Sequence, residues 1–208
     1  MQRRGNMPSP QRPTMTAFDA IYARHATRAF TPAEIDEPTV RQLLAAAVHA
    51  PTAMHLEPWA FVIVQDRALL RRISDRAKVV AALPQGELHR ELARTPSAPR
   101  LPAPFSDPAF NIFYNAGTLV IICGKPMGHF VAADCWLAAE NLMIAATALG
   151  LATCPIGFAV TALGDPEIKR ELSIPDGVTT FAPIIVGVPT TTPAPTTRRE
   201  PEIWAWKK

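Results

Sequence analysis

The sequence predicts a single α+β domain, and three observations lead there. An apolar stripe at helical spacing, Val40, Leu43, Leu44, Ala47 and Val48, stops at Pro51. Runs rich in β-branched residues occupy 59–64, 117–124 and 180–188, each flanked by Gly or Pro. Between the last two lies an Ala-rich stretch, 134–149, that ends at Gly150. At 208 residues the chain can bury one sizeable core, and nothing in its composition demands a second domain. Its 21 Lys and Arg against 18 Asp and Glu give a net charge of +3. These cations are scattered, so nucleic acid is not an expected partner; an anionic small molecule would suffice.

Taken in order, residues 1–15 are basic and proline-containing without an apolar centre, which reads as a loose tail and not a secretory signal. Thr16 with Asp19 is a capping-box-like start for a helix that runs to about Arg24. Glu37-Pro38 opens a second helix, since a first turn tolerates proline. Residues 59–64 read as a strand buried on both faces, and Asp66 caps a helix with its stripe at Leu69, Leu70, Ile73 and Ala77. From 84 to 108 the periodicity dissolves among prolines, which leaves two readings, a floppy surface insert or a functional cover.

Residues 117–124 form the clearest central strand. The helix over 134–149 is apolar nearly all round, so it must be covered on every side, and its small residues suit a tight contact between subunits. Short strands follow at 151–156 and 180–188, with a helix from Asp165-Pro166 between them. Residues 190–197 hold only Thr and Pro apart from Ala194, an extended arm that delivers Arg198, Arg199, Ile203, Trp204 and Trp206. Aromatic groups of that size need a docking surface, and a partner subunit would supply it.

Cys123, Cys135 and Cys154 are odd in number and set among apolar residues, which fits buried thiols in a reducing compartment. No His or carboxylate stands at ligand spacing from them, so no metal site is predicted. The longest apolar run, 137–156, is broken by Glu140, Asn141, Gly150 and Pro155, which argues against a membrane span. A soluble, cytoplasmic protein is the expectation.

The chain is organised around residues 50–64, where a helix stops at Pro51, crosses a short loop and becomes a strand. Ahead of the loop lies Arg24-His25-Ala26-Thr27-Arg28-Ala29-Phe30. After it come Ala133-Asp134 and the Ala-rich helix, then Gly150-Leu151-Ala152-Thr153-Cys154-Pro155-Ile156-Gly157, and last Arg198-Arg199. In that order and spacing these stretches resemble the FMN-dependent nitroreductase family over roughly residues 16–206: a basic pair near the N-terminus, an A-P-S-x-x-N-x-Q-P-W-like loop, an Ala-rich central helix and a late arginine. The resemblance implies a mostly antiparallel sheet flanked by helices and a homodimer with the C-terminal arm, 190–208, exchanged. It also implies FMN sites at the dimer interface. NAD(P)H would give a hydride to flavin N5, and a small electron acceptor such as a nitroaromatic or quinone would then take the electrons. Residues 84–108 would be the variable cover over the substrate side.

FMN brings a charged phosphate, a polar ribityl chain and a ring that gains negative charge on reduction. No phosphate-cradling glycine loop is present, so arginines must serve. By the resemblance, Arg24 with Arg198 or Arg199 would grip the phosphate through charge-assisted forks. Arg28 would face the N1 and O2 edge of the ring, which makes it the expected catalytic residue. The plainer roles for Arg24 and Arg28 are helix-end complementation and ordinary ion pairs. His25 and Ala26 fall in the same cofactor-binding stretch. Thr52, Ala53, Met54, His55 and Glu57 of the second subunit would touch phosphate, ribityl and ring. The backbone of Cys154, Pro155, Ile156 and Gly157 would run along the pyrimidine side. The chain departs from the family pattern with Ala26 for serine, His55 for asparagine and Glu57 for glutamine. Ala26 removes a hydroxyl, His55 can still donate, and Glu57 accepts but donates only when protonated. A titratable His55 beside a flavin would make turnover pH-dependent. Two alternatives stand beside this reading: reduction of an activated alkene, aldehyde or halogenated ring on the same fold, and a non-enzymatic flavin-binding or sensor protein.

Overall fold

Four strands form one sheet in the computed structural model, which describes residues 15–82, 107–191 and 197–208. They are β1 (Trp59–Val64), β2 (Thr118–Gly124), β3 (Ala152–Pro155) and β4 (Thr179–Gly187), in the order β1-β2-β4-β3 with every neighbour antiparallel. Every residue of the central β2 is buried. Its period-2 alternation sends Leu119, Ile121 and Cys123 into the core on one face and Val120 and Ile122 into the core on the other. β1 is an edge strand in which only Trp59 and Val64 are fully buried. The strand packs on both faces as expected, Ala60 and Val62 against one core and Phe61 and Ile63 against the other, but its middle is only half-buried because an edge strand lies at the margin of both helical layers.

The helices α2 (Glu37–Ala47) and α4 (Val131–Ala148) cover one face, with Val40, Leu43 and Ala47 meeting Ala138, Leu142 and Ile184 in one core. Helices α3 (Arg67–Ala82), α5 (Ala159–Leu163) and α6 (Pro166–Glu171) cover the other through Leu70, Ile73, Leu163 and Ile168. α1 (Ala17–Ala23) rests on α4. Burying one Leu or Ile contributes roughly 1.5–3 kcal/mol against about 0–1 kcal/mol for an exposed ion pair. The apolar layers therefore set the frame that carries the loops.

Helix starts follow their caps. The Thr16–Asp19 box forms, with Asp19 N–H donating to Thr16 Oγ1 at 3.1 Å and Thr16 N–H to Asp19 Oδ2 at 3.0 Å. Asp36, just ahead of the expected Glu37, accepts from Thr39 N–H at 2.9 Å, and Asp66 from Leu69 N–H at 2.8 Å. α4 begins at Val131, ahead of the expected Asp134, with no side-chain cap. α5 had no counterpart in the sequence reading, since it too lacks a capping side chain.

Among the described residues α4 is not covered on every side. Cys135, Ala138, Ala139, Leu142, Met143 and Ala146 are buried, whereas Ala133, Trp136 and Leu137 are exposed. Phe18, Ile21 and Tyr22 of the adjoining α1 are exposed too. Residues 197–208 have no regular structure and are exposed throughout, Trp204 at 90% and Trp206 at 75%. Of the proposed cover 84–108, only residues 107 and 108 fall within the described residues.

Candidate active site

The basic stretch is laid along the end of the sheet. Ala26 forms a parallel bridge with Thr153 of β3, and Thr27 N–H donates to Thr153 O at 3.0 Å. Further on, Thr31 N–H donates to Val188 O at 2.9 Å and Thr190 N–H to Ala29 O at 3.1 Å. Phe30 is buried against Gly187, where a Cβ would lie 2.9 Å from the ring. A side chain at 187 would push Phe30 away, and the stretch with it.

This register brings Arg28 beside the turn after β3. Arg28, Cys154, Pro155, Ile156, Gly157 and Phe158 line a cleft of about 210 Å³ together with Phe110, Ile112 and Tyr114. Arg28 is the one charged side chain in that lining. Both guanidinium groups act on Cys154: burial pushes its thiol up, and the cations Arg28 and Arg24 partly oppose the shift. Of the turn's backbone donors, Pro155 has none and Ile156 N–H is engaged with Pro183 O at 2.8 Å. Gly157, exposed at the tip, has an N–H that bonds no group among the described residues.

Arg24 is not in the lining and forms an ion pair with Glu140 of α4 (Nε to Oε1 3.3 Å). His25 has its Nδ1 2.8 Å from Ala23 O, while its Nε2 is buried without a partner among the described residues. The hydroxyls of Thr27 and Thr153 are orphaned in the same way. Buried polar atoms without partners are rare in folded chains. Arg28 in the lining and Arg24 acting on the same Cys154 suit an anionic ligand, so the residues present fit a flavin phosphate and ring edge.

The loop 52–57 lies elsewhere. It contains a short 3-10 turn, Ala53–His55, followed by Leu56 N–H donating to Ala53 O at 3.2 Å. Met54, His55 and Glu57 all have positive φ (54°, 55° and 45°), a conformation that costs a residue with a Cβ roughly 1–3 kcal/mol. Asp134 of α4 holds it by accepting from Ala53 N–H at 3.1 Å. Met54, His55 and Glu57 face solvent, and no residue of the loop lines the cleft. Arg198 and Arg199 are likewise exposed, with no hydrogen bond or ion pair among the described residues. One chain thus joins Arg24 to Arg28 with the 154–157 turn and leaves the loop and the tail arginines apart.

Sequence reasoning passed over the aromatic wall of the cleft, Phe110, Tyr114 and Phe158, and the two carboxylates Asp134 and Glu140 that hold the loop and Arg24. The alternating apolar pattern Phe110, Ile112, Tyr114 was a readable signal for the first. A carboxylate inside an otherwise apolar helix was a signal for Asp134.

The chain belongs to the nitroreductase family, whose profile matches residues 21–188. It is 24% identical over 174 residues to a protein of Archaeoglobus fulgidus that bears the name NADH dehydrogenase/NAD(P)H nitroreductase, covering 81% of this chain and 83% of that one. It is also 24% identical over 205 residues to the nitrobenzene nitroreductase of Ectopseudomonas oleovorans, covering 81% and 85%. Among solved structures, a nitroreductase of Bacteroides fragilis with bound FMN superposes with a TM-score of 0.75 at 26% identity, covering 93% of this chain and all of that one.

Proposed function

We propose that the protein is an FMN-dependent oxidoreductase that carries electrons from NAD(P)H to a small electrophilic acceptor such as a nitroaromatic or quinone. The observation that carries this reading is the docking of Arg28 beside the 154–157 turn, in a cleft with one cation and otherwise apolar and aromatic walls. Support comes also from the FMN bound in the Bacteroides fragilis relative and from the nitroreductase names of the sequence relatives. Bound in this cleft, FMN would accept a hydride and pass two electrons on. Arg28 would stabilise the negative charge that appears at the N1 and O2 edge, and its guanidinium needs no reorganisation to do so. Arg24 would exchange its ion pair with Glu140 for the phosphate, a charge-assisted and potentially bidentate contact. Gly157, in the lining of the cleft, would offer its N–H to the bound group. No nucleophile or general base is required, because positioning and fixed charge do the work.

The loop 52–57 and the tail arginines would reach a flavin only from a second copy, so the active form is proposed to be a homodimer with 197–208 lying over the partner. Exposed apolar groups on α1, on α4 and in the tail supply the surface. The test is the absorbance spectrum of the purified protein, followed by stopped-flow mixing with NADH or NADPH. A flavin band that bleaches and recovers when nitrobenzene or p-benzoquinone is added is expected. A colourless protein that takes up no FMN would sink the proposal, and a yellow one that neither cofactor bleaches would leave only a flavin-binding role.

A further inference from the structure

One face of α3 is built to grip the backbone that carries the aromatic wall. Arg71, Ser74, Asp75 and Lys78 follow one another at helical spacing on that face. Lys78 is buried, and its Nζ donates to three carbonyls: Phe110 O at 2.8 Å, Pro108 O at 3.4 Å and Asp107 O at 3.5 Å. Arg71 donates to Pro108 O and, at 3.4 Å, to Ala109 O. Asp75 joins the two cations, 2.9 Å from Lys78 Nζ and 3.2 Å from Arg71 Nε. Ser74 Oγ accepts from Ile112 N–H at 3.1 Å. Burial alone would raise the Asp75 carboxyl, yet its bonds to Lys78 and Arg71 outweigh that and hold it below the usual range.

An apolar side chain would fill the place of Lys78 without the cost of burying a charge. What the ammonium adds is a fixed position for three carbonyl groups of one short segment, those of Asp107, Pro108 and Phe110. The residues so fixed, Phe110 and, beyond it, Ile112 and Tyr114, line the cleft that holds Arg28. The Phe110 and Tyr114 rings stand edge to face, with centroids 5.7 Å apart and planes at 75°. Tyr114 is held at φ 50°, and a left-handed tyrosine persists only where its surroundings over-determine it. Asn111 contributes to that, its side chain accepting from Phe113 N–H at 2.8 Å and its carbonyl from Tyr114 N–H at 3.0 Å.

We propose that Lys78, braced by Asp75 and Arg71, is a positioning residue that fixes Phe110 and Tyr114 as the wall by which the cleft selects planar aromatic acceptors. This rests on the oxidoreductase reading above. An edge-to-face pair presents a ring edge to an incoming flat ring, a contact that non-aromatic acceptors do not make.

The test compares the FMN-loaded parent with Lys78→Met. Acceptors are nitrobenzene, p-dinitrobenzene and ferricyanide, the last an inorganic ion that takes single electrons and needs no aromatic wall. Lys78→Met is expected to raise KM for the two aromatic acceptors roughly three- to tenfold, the range an aromatic contact is worth. KM for ferricyanide, FMN affinity and the rate of flavin bleaching by nicotinamide are expected to stay within about twofold. Lys78→Arg, which keeps the donors, should restore most of the loss. Phe110→Leu should raise the aromatic KM alike, and Lys78→Met should add nothing on top of it. Additive effects, an equal change for all three acceptors, or a change confined to FMN affinity or bleaching would overturn the clamp. If Lys78→Met does not fold, Phe110→Leu and Tyr114→Leu decide: an unchanged ratio of aromatic to ferricyanide KM overturns it. A parent protein that binds no FMN sinks both readings, whereas the failures above sink the clamp alone.

Discussion

Asp134→Ala tests whether the long helix holds the left-handed loop. Asp134 is 4% exposed in the first turn of α4, and its Oδ1 accepts from Ala53 N–H. A hydrogen bond to a charged group contributes about 1.5–3 kcal/mol, and its removal leaves a part-buried N–H without a partner. That loss equals the strain of one of the residues Met54, His55 and Glu57, roughly 1–3 kcal/mol each. The loop is thus expected to relax locally while global stability falls by about 1.5–3 kcal/mol. A separate helix-dipole contribution of roughly 0.3–1 kcal/mol is lost with the charge. Asp134→Asn separates the two, because the amide oxygen can still accept and only the charge goes. Hydrogen exchange at Ala53 and Leu56, urea unfolding and FMN titration form the assay. Asp134→Ala should lose protection at both amides and weaken FMN roughly tenfold, a shift of about 1.4 kcal/mol, with Asp134→Asn in between. Reduced global stability with unchanged exchange in the loop would refute the reasoning, since the carboxylate would then serve only its own helix.

Three further outcomes follow. Arg28→Ala should slow flavin bleaching by nicotinamide roughly 100-fold, with Arg28→Lys recovering most of it; a parental rate in stopped flow would remove Arg28 from its role. Truncation after Thr191 should raise the dissociation constant of the proposed dimer and weaken FMN, read by light scattering and flavin titration; no change in either would detach the tail from the site. Burial pushes the Cys123 thiol up to about 11 and that of Cys135 up to about 12 from an ordinary 9.0. Above pH 9 the unfolded chain therefore loses these protons while the folded one keeps them, so stability is intact below that pH and falls as pH rises toward 11–12. Urea midpoints at pH 8 and pH 10 should show the drop, and rapid alkylation of the folded protein by iodoacetamide at pH 8 would contradict it.

Much of the fold was legible because local signals carried it. Thr16, Asp66 and Asp165 cap the helices their sequence context announced, and β2 is buried along its whole length as its β-branched run predicts. The joined half of the site was legible as well, as a basic stretch and a turn. Their contact is not local, however: it depends on the bridge of Ala26 to Thr153 and on Phe30 seated over Gly187, which no spacing reveals. The partial burial of β1's middle and the identity of the aromatic wall were hidden for the same reason. Nothing in the spacing of the helix marks Lys78, and only the return of residues 107–110 across α3 turns it inward.

The features one chain leaves unexplained share a surface requirement, and magnitudes decide which of them drives assembly. Association costs about 4–15 kcal/mol before any contact is credited. In a two-fold dimer both copies would bury Ile203, Trp204 and Trp206, which would return roughly 1.5–3 kcal/mol each and about 9–18 in all, close to that cost. Phe18, Ile21 and Tyr22 of α1 with Trp136 and Leu137 of α4 add five more side chains of this kind on two adjoining helices. With five such side chains per copy against the arm's three, the helical face would contribute the larger share of the proposed dimer, with the arm fastening it and delivering Arg198 and Arg199. In a two-fold interface each copy would both give and receive, so the strained loop and the arginines of one protomer could complete the cleft of the other. A chain cut after Thr191 should consequently still dimerise at high concentration, with its cleft short of cations; a cut chain that stays monomeric at every concentration would shift the main interface from the helices to the arm.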